Sequence, residues 1–242
     1  MQALRFKKRE SNLGYDGFYY SDERSVSLLT VFIIANGEMR DYNFSKTALA
    51  DCDYILACDG GLRHCHAMNV LPSYIIGDMD SADQELLSYY KDVPLMRFVP
   101  EKDQTDLELA IEKACDLKAD SIVILGGLGK RLDHQLANIH TLAQALEGGA
   151  AAEMWDENTK IRLINDYCKI NKNDGALVTL LPLTTTVESI VTKGLKYPLE
   201  NEDLSVGYAR GVSNEFTDTW AEITIKSGLL LVVQTVCDSG RL

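Results

Sequence analysis

The chain has 242 residues, enough for one large domain or two modest ones, and its 46% hydrophobic content is typical of a protein with a sizeable core. A formal net charge of −12 leaves no excess of lysine and arginine to neutralise phosphates, so we expect no nucleic-acid partner. The six cysteines are scattered without a Cys-x-x-Cys pair, which favours small core residues in a reducing compartment. No apolar run approaches the roughly 18 residues of a membrane helix, and the first residues lack a signal-peptide pattern. The sequence therefore predicts a cytoplasmic protein without a membrane partner.

Residues 27–157 have the pattern of a layered α/β domain. Continuous apolar, β-branched runs, typical of strands covered on both faces, alternate with helix-like segments, and this alternation predicts a parallel sheet. The runs are Leu28–Ala35, Tyr54–Cys58, Ile75–Ile76, Leu95–Val99, Ser121–Leu125 and Ala152–Trp155. Residues 1–26 are polar and aromatic-rich without a clear period. We interpret them as an N-terminal extension that either packs as an extra strand or stays loose.

Two of the helix-like segments have recognisable starts. The string Thr105-Asp106-Leu107-Glu108 fits a capping box, with Thr105 as the N-cap and Glu108 reaching back, and predicts a helix from there to Leu117. A second helical pattern begins at Asp133 and stops at Gly148-Gly149.

Residues 158–242 have a different texture. Short alternating runs at Ala176–Leu181, Val187–Val191, Ala221–Lys226 and Leu229–Thr235 are separated by Gly, Pro, Asn and Asp. This pattern predicts a small antiparallel β-sandwich domain, and Ser227-Gly228-Leu229 suggests a hairpin within it.

Acidic residues follow several strands of the first domain. Asp78 and Asp80 stand two residues apart after the third strand, and taken alone they favour a turn followed by a helix cap. However, Asp59, Asp103 and Asp106 occupy loops that open on the same edge of a parallel sheet. Such a set of carboxylates would repel without a cation, and Mg²⁺ prefers carboxylate oxygens. The pattern therefore predicts a magnesium site that mediates phosphate binding.

The loop from Gly126 to Arg131 follows a strand and precedes a helix, a context that favours anion binding by backbone amides, with Lys130 or Arg131 supplying charge. It is not a P-loop, and a plain β-turn remains an alternative for its glycines. His134 is ambiguous between a phosphate donor and a structural residue. We assign no role to His64 and His66, whose spacing of two points them to different helix faces. Since no nucleophile–base pair stands out, metal-assisted transfer of a phosphorus group from a nucleotide fits better than acyl chemistry.

Six strings, in order and spacing, resemble the motifs of the thiamin pyrophosphokinase family. They are Cys58-Asp59-Gly60-Gly61, Ile76-Gly77-Asp78-Met79-Asp80-Ser81, Asp103-Gln104-Thr105-Asp106-Leu107-Glu108, Gly129-Lys130-Arg131-Leu132-Asp133-His134, Gly194-Leu195-Lys196-Tyr197-Pro198-Leu199 and Gly211-Val212-Ser213-Asn214-Glu215-Phe216. The resemblance covers roughly residues 30–235 and both domains.

The resemblance implies an ATP- and Mg²⁺-binding α/β catalytic domain at 27–157 and a thiamin-binding β-sandwich domain at 158–242. The activity it implies is transfer of the pyrophosphoryl group of ATP to the hydroxyl of thiamin, giving thiamin diphosphate and AMP. It also implies a homodimer with thiamin sites at the subunit interface.

By the same resemblance, three aspartates would hold the metal, namely Asp78, Asp80 and Asp106. These three would share the catalytic role with Asp103 and Arg131. The residues implied to bind the nucleotide are Asp59, Gly60, Gly61, Thr105, Gly127, Arg131 and Asp133. Those implied to bind thiamin are Lys102, Tyr197, Ser213 and Asn214; an aromatic face at Tyr197 suits a cationic thiazolium, although an ordinary sheet tyrosine is the alternative.

The chain departs from the family pattern at Lys130, where a second small residue is common. Two other functions stay open at the level of sequence. One is a metal-dependent phosphatase that uses Asp78 and Asp80 as nucleophile and acid, although this motif would normally follow the first strand of such a fold. The other is a thiamin- or nucleotide-binding sensor without turnover.

Overall fold

The structure is a computed structural model that describes residues 28–79, 84–97, 104–173 and 175–236. The chain divides into two compact units, with the boundary between Glu157 and Asn158. The N-terminal extension predicted for residues 1–26 lies outside the described residues.

The first unit contains a parallel sheet. Its strands are β1 (Thr30–Ile34), β2 (Tyr54–Cys58), β3 (Tyr74–Gly77), β4 (Leu95–Arg97), β5 (Ser121–Leu125) and β6 (Ala151–Trp155). Their order is β6-β5-β1-β2-β3-β4, and every neighbouring pair is parallel. All six strands that the sequence predicts are confirmed, although the predicted end of the fourth at Phe98 and Val99 lies outside the described residues.

The strand order reverses beside β1. The chain moves outward from β1 through β2 and β3 to β4, and then returns to place β5 on the other side of β1. At such a switch point the chain leaves the two neighbouring strands in opposite directions. Ligands of open α/β sheets bind at the carboxyl ends of the strands at this point. The topology thus points to the loops after β1, β2 and β5.

Within the described ranges, five α-helices connect or flank these strands. They are α1 (Tyr42–Ala48), α2 (Leu62–Met68), α3 (Gln84–Tyr89), α4 (Asp106–Asp116) and α5 (Leu132–Glu147). At the start of α4, Thr105 and Glu108 form the capping box that the sequence predicts. No helix in the described part of the chain is long and apolar enough to cross a membrane.

The core of this unit lies along the central strands. Ile33, Leu56, Ile76 and Ile124 are fully buried, which explains why these strands read as continuous apolar runs. Helix α5 contributes little to the core over its first two turns, where Leu132 and Leu136 are 67% and 52% exposed. The first half of α5 therefore presents apolar side chains at the surface.

In the described residues, the second unit contains two sets of four antiparallel strands. Its strands are β7 (Thr159–Ile164), β8 (Tyr167–Asn171), β9 (Ala176–Pro182), β10 (Thr186–Lys193), β11 (Glu200–Ser205), β12 (Asn214–Glu215), β13 (Trp220–Thr224) and β14 (Leu230–Val236). One set has the order β12-β9-β14-β7 and the other β11-β10-β13-β8. The prediction of a small antiparallel β domain is confirmed.

The hairpin suggested at Ser227-Gly228-Leu229 is wrong. Strands β13 and β14, which flank this turn, pair in different sheets, so the turn carries the chain from one sheet to the other. Gly228 is required there for two reasons. Its φ is +95°, and an added Cβ would lie 2.8 Å from the Thr186 carbonyl oxygen.

Candidate functional site

Glycines bring the loops after β1 and β5 into direct contact at the switch point. We call residues 35–41 the β1 loop and residues 126–130 the glycine loop. The Gly37 amide donates a hydrogen bond of 2.8 Å to the Gly126 carbonyl, and an added Cβ on Gly37 would overlap that carbonyl. Gly126 itself has φ +70°, and its added Cβ would lie 2.6 Å from the Ala35 carbonyl oxygen. Only glycine allows this close approach of two backbones.

The loop after β2 packs on the same place. Asp59, Gly60 and Gly61 form one turn of 3₁₀ helix that leads into α2. An added Cβ on Gly60 would overlap the Asn36 side chain, and one on Gly61 would overlap the Ile34 carbonyl. The two glycines that the sequence predicts to contact the nucleotide therefore also let the β2 loop lie against the end of β1.

Asp59 is held in an unusual backbone conformation beside this contact. Its φ is +37°, which is sterically unfavourable for a residue with a Cβ, and its side chain is buried. Met79, which follows Asp78 after β3, likewise has φ +66° and is buried. Strain of this kind costs on the order of 1–3 kcal/mol and is concentrated at binding and active sites.

Asp59, Asp78 and Asp106 converge at the carboxyl ends of β2 and β3 and the start of α4. Burial, together with the negative charges of Asp59 and Asp78, raises the pKa of Asp106 to about 6. The Asp106 carboxylate lies against the backbone of β3, since an added Cβ on Gly77 would be 3.1 Å from its Oδ2. The three carboxylates thus interact although 47 positions separate the first from the last in the sequence.

This donor set suits a hard divalent cation. Carboxylate oxygens are the protein ligands that Mg²⁺ prefers, and a cation would relieve the repulsion that raises the pKa of Asp106. The other two acids predicted for this site, Asp80 and Asp103, lie outside the described residues, as does Lys102. Within the ranges that the structure describes, no group of three or more His, Cys, Asp and Glu side chains stands in metal-binding geometry. The predicted metal set therefore stays a prediction.

Two side chains of α5 hold the glycine loop through hydrogen bonds to its carbonyls. Asn138 donates to the Gly127 carbonyl at 2.9 Å, and Gln135 donates to the Gly129 carbonyl. Gly127 is packed closely, because an added Cβ would lie 2.6 Å from the Met154 sulfur. The carbonyls of the loop are thus engaged by the protein on the helix side.

The start of α5 carries the basic residues of the site. Arg131 is the N-cap but makes no capping hydrogen bond with its side chain. Its guanidinium instead pairs with Asp133 through two hydrogen bonds, of 2.6 and 3.2 Å. Lys130 lies 3.1 Å from Glu38, so an exposed ion pair also links the glycine loop to the β1 loop. Exposed pairs of this kind contribute little to stability, and either cation can turn to an anionic ligand at small cost.

Thr105 has a defined structural role. Its hydroxyl donates to Glu108 Oε2 at 2.8 Å and accepts from the Glu108 amide at 3.3 Å. The capping box therefore already uses this hydroxyl. The nucleotide contact expected of Thr105 stays a prediction.

The three predicted thiamin contacts of the second unit lie together. The Asn214 side chain accepts from the Tyr197 amide at 3.0 Å and donates to the Tyr197 carbonyl at 2.7 Å, so it fixes that residue on both sides. Ser213, with φ +58°, donates its amide to Thr179 at 3.0 Å. The Tyr197 ring is 62% exposed, and the Lys196 ammonium lies 5.5 Å from its centroid. This ring therefore already faces a cation.

Sequence reasoning missed the residues that support the β1 loop. It gave His64 no role, but the structure buries His64 and places its ring nitrogen Nε2 2.8 Å from the Gly37 carbonyl. The available signal was position, because His64 follows the Asp59-Gly60-Gly61 string by three residues and lies on the first turn of α2.

Comparison with known proteins identifies the family. Residues 45–153 match the model for the thiamin pyrophosphokinase catalytic domain, and residues 167–230 match that for the thiamin pyrophosphokinase vitamin B1 binding domain. The chain is 28% identical to a thiamine pyrophosphokinase of Bacillus subtilis over 170 residues, covering 69% of this chain and 79% of the relative. It is 25% identical to thiamin pyrophosphokinase 1 of Caenorhabditis elegans over 228 residues, covering 86% and 90%.

The fold agrees with these matches. The crystal structure of the Bacillus subtilis thiamine pyrophosphokinase superposes with a TM-score of 0.78 at 23% identity, covering 86% of this chain and all of that one. The two family models account for both units, and together with these relatives they place the protein. The chain belongs to the thiamin pyrophosphokinase family.

Proposed function

We propose that this protein is a thiamin pyrophosphokinase, which transfers the pyrophosphoryl group of ATP to the hydroxyl of thiamin. In this reaction the hydroxyl oxygen forms a bond to the β-phosphorus, the bond from that phosphorus to the α–β bridging oxygen breaks, and AMP leaves as the hydroxyl proton is released. The observation that carries the proposal is the convergence of Asp59, Asp78 and Asp106 beside a glycine loop, in a chain of this family.

The proposed metal is Mg²⁺, held by Asp78 and Asp106 together with Asp80, and Asp103 would lie near it. When bound, the ion would neutralise charge on the phosphate oxygens of ATP. The support is the raised pKa of Asp106, which results from its burial and from the nearby negative charges of Asp59 and Asp78. The carboxylates of the chain position the ion and also keep the nucleotide from approaching without it, since the protein carries a net charge of −12.

The proposed nucleotide site is the glycine loop with the start of α5 and the turn at Asp59-Gly60-Gly61. The Gly127 and Gly129 carbonyls are engaged by Asn138 and Gln135, which hold the loop in place. Arg131 would exchange its exposed partner Asp133 for a phosphate of bound ATP, and a charge-assisted contact of this kind is stronger than a neutral hydrogen bond. Thr105, Gly127 and Asp133 complete the proposed set.

The proposed thiamin site lies in the 158–242 domain, at Tyr197, Ser213 and Asn214. The cation–π contact with Lys196 supports an aromatic face that accepts a thiazolium, and Asn214 keeps that face in place. The expected thiamin contact of Lys102, which lies outside the described residues, stays a prediction.

We further propose a homodimer in which thiamin binds at the subunit interface. The exposed Leu132 and Leu136 of α5 are apolar surface that a second copy would cover. The cytoplasmic location expected from composition stays a prediction.

The two rival functions are less well supported. A phosphatase that uses Asp78 as nucleophile would form an aspartyl-phosphate, but here the motif follows the third strand of the sheet. A sensor without turnover would not need the carboxylate set.

Incubation with ATP, Mg²⁺ and thiamin separates these functions. The proposed enzyme forms AMP and thiamin diphosphate in equal amounts. Formation of ADP or free phosphate, or trapping of an aspartyl-phosphate on Asp78, would contradict the proposal, and binding of both ligands without any product would identify a sensor.

A further inference from the structure

We propose that His64 is a positioning residue for nucleotide binding, because it holds the β1 loop at its working distance from the glycine loop. This inference rests on the proposed function, since it gives the glycine loop the role of binding the phosphates of ATP. His64 itself lies on α2 behind the loops and is 3% exposed, so it does not touch the nucleotide.

Both ring nitrogens of His64 are used. Nε2 lies 2.8 Å from the Gly37 carbonyl oxygen, and Nδ1 lies 2.8 Å from the Tyr42 hydroxyl on α1. A carbonyl oxygen only accepts, so the proton of the ring must sit on Nε2. The neutral ring then accepts at Nδ1 from the Tyr42 hydroxyl, and burial, which lowers the pKa of His64, favours this neutral form.

These bonds form a chain that ends at the proposed phosphate site. The Tyr42 hydroxyl donates to His64, His64 donates to the Gly37 carbonyl, and the amide of the same Gly37 donates to the Gly126 carbonyl at 2.8 Å. An added Cβ on Gly37 would lie 3.4 Å from the Gly129 Cα, so the two loops are packed along more than one residue. A shift of Gly37 is therefore passed directly to the glycine loop.

Arg63 holds the preceding carbonyl of the β1 loop. Its guanidinium donates to the Asn36 carbonyl at 2.7 Å, so consecutive side chains of α2 hold consecutive carbonyls. The two contacts differ in burial, since Arg63 is exposed and His64 is not. A buried hydrogen bond is costly to leave unmade, whereas an exposed one is replaced by water, so His64 is the contact that sets the loop position.

The test compares two variants of equal side-chain length. His64→Gln keeps an N–H donor near the position of Nε2, and His64→Met fills the same space without a donor. For each we would measure the dissociation constant of Mg·ATP by calorimetry without thiamin, the KM for thiamin and the melting temperature. His64→Met is expected to raise the Mg·ATP dissociation constant about tenfold, in line with the cost of misplacing a binding loop, and to leave the thiamin KM within about twofold. His64→Gln is expected to restore most of the nucleotide affinity.

Tyr42→Phe is the matched control, because it removes the hydroxyl from the other side of the ring and leaves the bond from Nε2 to Gly37. It should lower the melting temperature but change the Mg·ATP affinity by less than about threefold. If His64→Met does not fold, His64→Asn takes its place, since its amide reaches only the position of Nδ1.

Equal nucleotide affinity in the Gln and Met variants would overturn the inference, as would a parallel loss for ATP and thiamin. Calorimetry with Mg·ATP needs no turnover, so the role of His64 is judged even if the wild-type protein forms no thiamin diphosphate, a result that would instead overturn the proposed function.

Discussion

Helices α4 and α5 both begin at the carboxyl edge of the parallel sheet, but their first turns are built differently. At α4 the protein satisfies the helix end itself, through the reciprocal hydrogen bonds of Thr105 and Glu108. At α5 the N-cap is Arg131, whose side chain provides no cap and pairs with Asp133 at the surface. The capped start of α4 carries Asp106, which lies beside Asp59 and Asp78. The start of α5, which has no side-chain cap, carries the cation Arg131 and follows the glycine loop.

The charges of the two ends explain the difference. A carboxylate at a helix N-terminus is stabilised by roughly 0.3–1 kcal/mol, which by itself would lower the pKa of Asp106 by less than one unit. Its pKa is instead raised to about 6, so burial and the charges of Asp59 and Asp78 outweigh the helix. The start of α4 is thus suited to a cation, and the start of α5, which follows the glycine loop and carries Arg131, is suited to phosphates.

The largest effect is expected from Asp106→Asn, at the start of α4. The substitution keeps the shape of the side chain but removes the charge that would hold Mg²⁺, so we expect the rate of thiamin diphosphate formation to fall on the order of a thousandfold. The folded protein should lose no stability, because the change also removes repulsion from Asp59 and Asp78. Rate and melting temperature, measured together, check this.

Asp116→Asn is the matched control, since it makes the same change at the exposed far end of the same helix. It should leave the rate within about twofold of wild type. Similar losses in both variants would show that the charge of the chain, not the position of Asp106, matters.

Gly126→Ala tests the backbone of the α5 side. The substitution places a Cβ 2.6 Å from the Ala35 carbonyl oxygen at φ +70°, so we expect a loss of about 3 kcal/mol in the free energy of unfolding, from backbone strain and overpacking. Gly149, just after α5, has φ +88° with no atom within 4 Å of an added Cβ. Gly149→Ala should therefore cost only about 1 kcal/mol, and equal losses in denaturant unfolding would show that the contact at Gly126 is unimportant.

Arg131→Gln tests the start of α5, which has no side-chain cap, without disturbing the fold. Its ion pair with Asp133 is exposed, so the free energy of unfolding should change by less than about 0.5 kcal/mol. The KM for ATP should rise about tenfold, because a charge-assisted phosphate contact is lost. Lys46→Gln, at an exposed lysine of α1, serves as the control in steady-state kinetics and should leave the KM unchanged. A KM for ATP that is unaffected in Arg131→Gln would remove Arg131 from the nucleotide site.

The smallest predicted effect is the pH dependence that Asp106 adds to stability. Its folded pKa of about 6 lies above its ordinary value of 3.8, so the protonated acid is favoured by folding. The stabilisation is complete below pH 4 and is lost as the pH rises through 6. Because Asp106 is only half-buried, screening reduces the effect to about 1 kcal/mol. Denaturant unfolding of wild type and Asp106→Asn at pH 4 and pH 7, without metal, should show this difference, and parallel curves would contradict it.

Much of the fold was predictable because the sheet of the first unit is buried on both faces. Continuous apolar runs such as Tyr54–Cys58 and Ser121–Leu125 coincide with β2 and β5 at both ends. In the second unit β7 and β8 were not predicted, although their charged residues Lys160, Arg162 and Lys169 alternate with buried apolar ones, as is typical of strands with one exposed face.

The grouping of three acids of the candidate site was predictable for a related reason. Parallel strands bring their following loops to one edge, so Asp59, Asp78 and Asp106 could be grouped from the sequence alone. The role of His64 could not, because its burial depends on how the β1 loop folds back over α2. The mistaken hairpin at Gly228 has the same origin, since local turn residues do not reveal which sheet the next strand joins.

We assign the cation to the start of α4 and the phosphates to the start of α5. The most direct test is transfer from ATP labelled at the β-phosphate, measured over a range of ATP concentrations at saturating Mg²⁺ and thiamin. We predict labelled thiamin diphosphate from wild type, almost none from Asp106→Asn at any ATP concentration, and recovery towards the wild-type rate for Arg131→Gln as ATP approaches saturation. Wild-type turnover by Asp106→Asn would contradict the account.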